Sequence, residues 1–304
     1  MAKLLRRGAA AKKILNGYFI AFLVFLYGPM FSMFLLSFQA RRGLTNFPQG
    51  FIKYYLYKFI GLFGADVNEQ LSSRTVQGIR WGLHWWRMLF DRAHSEELHG
   101  ALLRSIILAL IMMVLTAFFS TTLAMAFREK FRGSGALFYA IMAGLMVPGV
   151  LVSLGAMLMF RVLGWTTTWY ASALGVQFIW TLPFGFLIMI AVFNRFATDL
   201  EEAARDLGAN KWRTFKRITL PIIAPGILGA GLFGFTFSYD EFARTLFVGG
   251  SENTFPLHIY ARMTVEIEPI LYTIGTASTI FSWIMILLFF YLSKKMAERV
   301  KAPT

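Results

Sequence analysis

A chain of 304 residues that is 57% hydrophobic and 17% aromatic, with a mean hydropathy of +0.58, is too apolar for an ordinary soluble domain. Its formal charge of +14 is distributed along the whole length rather than gathered in one block, which argues against a nucleic-acid-binding protein. The absence of cysteine excludes disulfides and thiolate metal sites.

Residues 1–14 form a short basic tail carrying Lys3, Arg6, Arg7, Lys12 and Lys13. The run 15–38 then contains no charged residue, and neither do 105–127, 134–160, 165–194, 218–239 and 270–293. A bilayer core about 30 Å thick needs roughly 20 apolar residues per helix. Each run meets that length, so six spans are expected. The first run is too long for a signal-peptide core and no small-residue cleavage site follows it, so it is expected to remain as an anchor.

Between the first two spans, residues 39–100 form the one long loop. Within it, 51–63 and 81–90 mix aromatic residues with basic ones and read as helices lying at the membrane surface. They serve either as a platform for a delivering protein or as anchors for the loop. Residues 101–293 hold the other five spans as a core domain, and 294–304 make a second basic tail. Most of the 30 Lys and Arg lie in the two tails, in the loop after the second span and in the segment between the fourth and fifth spans. That distribution places the tails and these two segments in the cytoplasm.

Pro29, Pro148, Pro183 and Pro225 fall inside proposed spans, which fits a packed bundle whose neighbours satisfy the freed carbonyls. Gly226, Ala230 and Gly234 recur every four residues in the fifth span and form a small-residue face for close helix packing or for lining a pathway.

The segment 199–221 has its own local logic. Asp199 is placed to cap a helix, with Glu202 three residues on. Gly208 is placed to end that helix in a left-handed turn. Asn210 can then cap a second helix over 211–219, with Trp212, Phe215 and Thr219 on one face, and Pro221 can open the fifth span. A helix-turn-helix hung between two spans is a stiff knob.

At the other end of the fifth span, Phe237-Ser238-Tyr239-Asp240-Glu241-Phe242 places two adjacent carboxylates beside an aromatic ring. Such groups are costly at membrane depth. They could receive an organic cation with help from the Tyr239 face, or simply reach headgroup water or pair with Arg244. His84, His94, His99 and His258 are too scattered for a metal site. Trp165, Trp169, Tyr170 and Trp180 read as an aromatic belt or a ligand cage. No Gly-x4-Gly-Lys-Ser/Thr phosphate loop occurs in the chain, so no ATP hydrolysis is expected of it.

Glu202-Ala203-Ala204, then Gly208, then Ile218-Thr219-Leu220-Pro221 nine residues further on, resembles the EAA loop of the permease subunits of binding-protein-dependent ABC importers. Gly144 to Pro148, the Asp240-Glu241 pair, Phe255-Pro256-Leu257, Ile259-Tyr260 and Pro269 are similar to the permeases of spermidine/putrescine importers. The likeness extends over roughly residues 100–293. It departs in the longer loop 39–100 and in Glu241, where an aspartate is usual. The resemblance implies an all-α polytopic membrane protein of six transmembrane helices, with a cytoplasmic coupling helix between spans 4 and 5, in a bacterial inner membrane. It implies that Glu202, Ala203, Ala204, Asp206, Gly208, Ala209, Trp212, Leu220 and Pro221 dock on an ATPase. It places Tyr239, Asp240 and Glu241 by the substrate path, for a polyamine or another small solute such as an opine or a modified amino acid. Implied partners are a second permease, two ATPase subunits binding ATP and magnesium, and an extracytoplasmic solute-binding protein. A carrier working without an ATPase is the rival reading, and the uncharged central spans disfavour it.

Overall fold

The computed structural model describes residues 2–38, 56, 59, 82–265 and 268–301. Among the described residues the regular structure is helical: α1 (Ala2–Leu36), α2 (His84–Phe90), α3 (Arg92–Ala126), α4 (Ser134–Met146), α5 (Gly149–Val162), α6 (Ser172–Phe193), α7 (Asp199–Asp206), α8 (Lys211–Thr214), α9 (Leu220–Tyr239), α10 (Phe255–Val265) and α11 (Ile270–Lys301). The chain divides into two compact units, Met1–Ser95 with Glu266–Ile280, and Glu96–Val265 with Phe281–Thr304.

In the first unit, α1 meets the start of α11 where Gly275 has no side chain, since a Cβ there would lie 2.7 Å from Met33 Sδ. The Thr273 hydroxyl donates to the Ser37 carbonyl at 3.3 Å. Within 81–90, residues His84–Phe90 form the helix α2, and Trp86 packs on Phe38 with ring centroids 5.6 Å apart. The one expected over 51–63 lies outside the described residues, except for the exposed helical positions Leu56 and Phe59.

The second unit holds the middle spans, and the last span begins in the first unit and continues into the second. Among the described residues, five helical segments are long and apolar enough to cross a membrane: Lys12–Leu36 in the first unit's α1, Ser95–Ala126, Ser172–Phe193, Lys211–Tyr239 and Ile270–Met296. The third apolar run is not straight. It breaks into α4 and α5, bent by 103°, and gives a sixth span only if the pair is counted as one. Pro148 is the cause: its ring holds Val147 extended at ψ 127° and supplies no N–H to continue α4. Pro29, Pro183 and Pro225 stay inside continuous helices.

The packing of α3, α6 and α9 sets the frame. A Cβ on Gly226 would lie 2.5 Å from Val192 on α6, and one on Gly234 would lie 2.7 Å from the Thr116 hydroxyl on α3. Ala230 between them is fully buried, so the small-residue face of α9 is a packing face. Buried hydroxyls and one amide then tie these helices together. Thr116 donates to Thr181 at 3.0 Å, Ser238 to Gln177 at 2.6 Å, and Gln177 to Thr245 at 2.8 Å. Each of these groups would cost free energy if buried alone.

Two valine substitutions test this frame. Gly234→Val forces its side chain into Thr116 and the Met112 carbonyl and should lose about 1–3 kcal/mol of stability. Gly155→Val, which meets nothing within 4 Å, should leave the thermal unfolding midpoint in mild detergent unchanged. Equal midpoints for both variants would mean that the three helices are not in close contact.

Candidate functional site

The segment between the fourth and fifth spans is a compact turn of helix with a sharp reversal. Asp199, Glu201 and Glu202 in the first turn of α7 and Arg205 in its last turn oppose the helix dipole favourably. The helix ends at Gly208, whose φ of +84° is the left-handed conformation that glycine adopts without strain. The reversal is completed by two hydrogen bonds, Gly208 N to Arg205 O at 2.8 Å and Ala209 N to Ala204 O at 3.0 Å. Asn210 then caps α8, its side-chain oxygen accepting from Arg213 N at 2.8 Å.

Here the structure corrects three expectations. Thr198, not Asp199, occupies the capping position of α7, and no side chain caps it, so the Asp199–Glu202 capping pair does not form. The second helix is not a separate element either. After Thr214 the chain widens into a π-helical turn, Phe215–Thr219, and passes unbroken into α9. On an ordinary helix, residues five apart sit roughly 140° apart around the axis. The wide turn brings Thr214 and Thr219 to the buried side together, at 3% and 1% exposure. Trp212 is exposed and stacks on Phe215 with centroids 5.8 Å apart, so Trp212 and Thr219 do not share a face.

The knob is held by a residue pair that sequence reasoning passed over. The Glu201 carboxylate receives a two-pronged contact from Arg128, Nη1 to Oε1 at 3.0 Å and Nη2 to Oε2 at 2.8 Å. The Thr219 hydroxyl donates to Oε1 at 2.5 Å. The Arg128 guanidinium also lies 5.3 Å from the ring centres of Phe193 and Phe196. One buried carboxylate thus joins the end of α3, the end of α6, the knob and the entry to α9. The Arg128 hydrogen bonds hold the Glu201 carboxyl below the usual carboxylate range, against the opposing pull of burial, and Thr219 adds to the lowering.

With Glu201 anchored, the adjacent Glu202 is exposed, as are Ala203, Asp206 and Gly208, while Ala204 is buried and Ala209 half-buried. Leu207 at the tip is 90% exposed and Trp212 is 69% exposed. Leu220 and Pro221 are half-buried at the start of α9. The knob therefore presents an apolar tip flanked by an acidic side chain.

At the far end of α9 the three residues picked from the sequence have different surroundings. Tyr239 is buried, stacked on Phe235 and Phe255 with centroids 6.2 and 5.9 Å away. Asp240 is exposed. Glu241 is buried and accepts from the Arg244 backbone N at 2.8 Å and from Arg244 Nη1 at 3.2 Å. The Arg244 guanidinium lies 3.7 Å over the Trp180 ring.

Residues 118–301 match the family described as "Binding-protein-dependent transport system inner membrane component". The chain is 28% identical over 249 residues to the spermidine/putrescine transport system permease protein PotC of Escherichia coli K12, covering 77% of this chain and 88% of that protein. It is 31% identical over 154 residues to the putrescine transport system permease protein PotI of the same organism, covering 48% of this chain and 54% of that one. A bacterial ABC transporter involved in the import of the acidic polysaccharide alginate has a chain of the same fold, with a TM-score of 0.68 at 16% identity over 96% of this chain and 98% of that one. By sequence pattern, helical architecture and family match, this multi-pass chain belongs to the inner membrane components of binding-protein-dependent transport systems.

Proposed function

We propose that this chain is the permease subunit of an ATP-driven importer for polyamines or similar small organic cations. A homologous permease completes the pathway, two ATPase subunits bind the knob formed by α7 and α8, and an extracytoplasmic binding protein delivers solute. Both termini and the knob then lie in the cytoplasm, a placement supported by the distribution of Lys and Arg. ATP and magnesium are bound by the ATPase subunits.

The observation that carries this reading is the pairing of an exposed apolar tip with a rigid mounting. Leu207 and Trp212 project outward, while Glu201 fixes the base of the knob to Arg128 and Thr219. A tip displaced by a motor subunit moves the ends of α3 and α9 with it, because the mounting is charged, buried and satisfied on both oxygens. The polyamine assignment is supported by the named cargo of PotC and PotI and by the carboxylates at the far end of α9. An opine or a modified amino acid is the second choice of solute.

The first test is uptake of labelled putrescine into proteoliposomes holding the complete assembly, its binding protein and internal ATP. Wild-type uptake should require ATP, and Glu202→Lys and Gly208→Val should each reduce it to background with the protein still in the membrane. Uptake that persists without ATP would identify a carrier instead.

The second concerns the mounting. Arg128→Ala leaves Glu201 without its cation, at a cost near the lower end of about 3–5 kcal/mol because Arg128 keeps 23% exposure. Amide exchange over residues 199–219 should accelerate accordingly. Since the folded-state pKa of Glu201 lies below its unfolded value, the stabilisation is present above about pH 4 and is lost as pH falls through the lowered value. Protection of these amides, taken relative to their intrinsic exchange rate at each pH, should therefore fall on acidification through the lowered value, and the Glu201→Gln variant should lack this step.

A further inference from the structure

Trp180, Glu241 and Arg244 form a closed arrangement around a positive charge. The Arg244 guanidinium sits 3.7 Å above the Trp180 ring, its Nη1 is 3.2 Å from Glu241 Oε2, and its side chain is 12% exposed. Phe184 and Phe237 wall the same place, 4.8 and 6.0 Å from Trp180 by ring centres. An aromatic face beside a carboxylate is the chemistry that recognises ammonium and guanidinium groups. The chain's own side chain fills it.

We propose that Trp180 and Glu241 form a receiving site for the ammonium end of an organic cation, and that Arg244 occupies it until the substrate displaces it. This inference rests on the reading of the chain as a cation importer and names the group that admits the cargo. Three features of the geometry suit an exchange. First, Glu241 Oε1 accepts from the Arg244 backbone N at 2.8 Å, so the carboxylate stays in place when the guanidinium leaves. Second, Glu241 is 8% exposed, and leaving it without a cation is costly, so Arg244 departs only as another cation arrives. Third, the guanidinium is packed on Gly149, the first residue of α5 beside the 103° bend, where an added Cβ would lie 2.9 Å from Arg244 Cγ and Cζ. Exchange therefore frees space at the break between α4 and α5.

The experiment measures putrescine binding to the purified assembly in mild detergent without nucleotide. An occupied site lowers apparent affinity by the fraction of time it is open. Arg244→Ala should therefore bind putrescine about tenfold more tightly. Gly149→Ala, which crowds the guanidinium aside and retains its charge, should shift affinity in the same direction. The gain should vanish in Arg244→Ala combined with Glu241→Gln. Should Arg244→Ala fail to accumulate, Gly149→Ala decides the matter alone. Unchanged or weaker binding in Gly149→Ala overturns the exchange, because simple removal of a repelling charge does not operate there. The underlying reading fails separately, if the wild-type assembly takes up a neutral amino acid and no organic cation.

Discussion

A carboxylate withdrawn from water stays charged only if a cation and hydrogen-bond donors replace the water, and Glu201 has both. Its two oxygens accept three hydrogen bonds, two from Arg128 and one from Thr219. Those donors come from positions 73 residues before and 18 residues after it in the chain. The contact therefore links elements that sequence distance would leave independent. Without it, α7 would hang from a short loop after α6 and a flexible glycine reversal. With it, the knob becomes an extension of the bundle, with Leu207 and Trp212 exposed on it.

A related arrangement occurs at the opposite end of α9. Glu241 is buried beside Arg244 and the Trp180 ring, again a carboxylate paired with a neighbouring guanidinium that packs on an aromatic ring. The two pairs differ in geometry. Arg128 donates to both oxygens of its partner, whereas the Arg244 guanidinium donates to one, the other being held by a backbone N–H. The first arrangement suits a fixed joint. The second suits a side chain that can leave while the carboxylate remains.

Features set by local chemistry were legible in the sequence. The apolar runs, the left-handed turn at Gly208, the Asn210 cap and the small-residue face of α9 each depend on a few neighbouring residues. Features set by tertiary contact were not. Glu201 and Glu202 are adjacent and chemically alike, and only the orientation of α7 sends one into the bundle and the other to the surface. Arg128 read as one more positive charge beside a membrane. The π-helical turn at Phe215–Thr219 had no periodic signal of its own, and it moved Thr219 away from the face shared with Trp212. The bend at Pro148 was visible as a proline within an apolar run, but its 103° depends on how α4 and α5 pack.

Everything proposed for α7 and α8 depends on a rigid mounting of the knob through Glu201. The chain has no cysteine, so Arg205→Cys on α7 and Thr122→Cys on α3, both exposed, introduce two unique labelling positions. Spin-label distances between them, measured in the isolated permease, should give one narrow distribution that broadens markedly when Arg128→Ala is added. A distribution already broad with Arg128 in place, or one that Arg128→Ala leaves just as narrow, would contradict the claim.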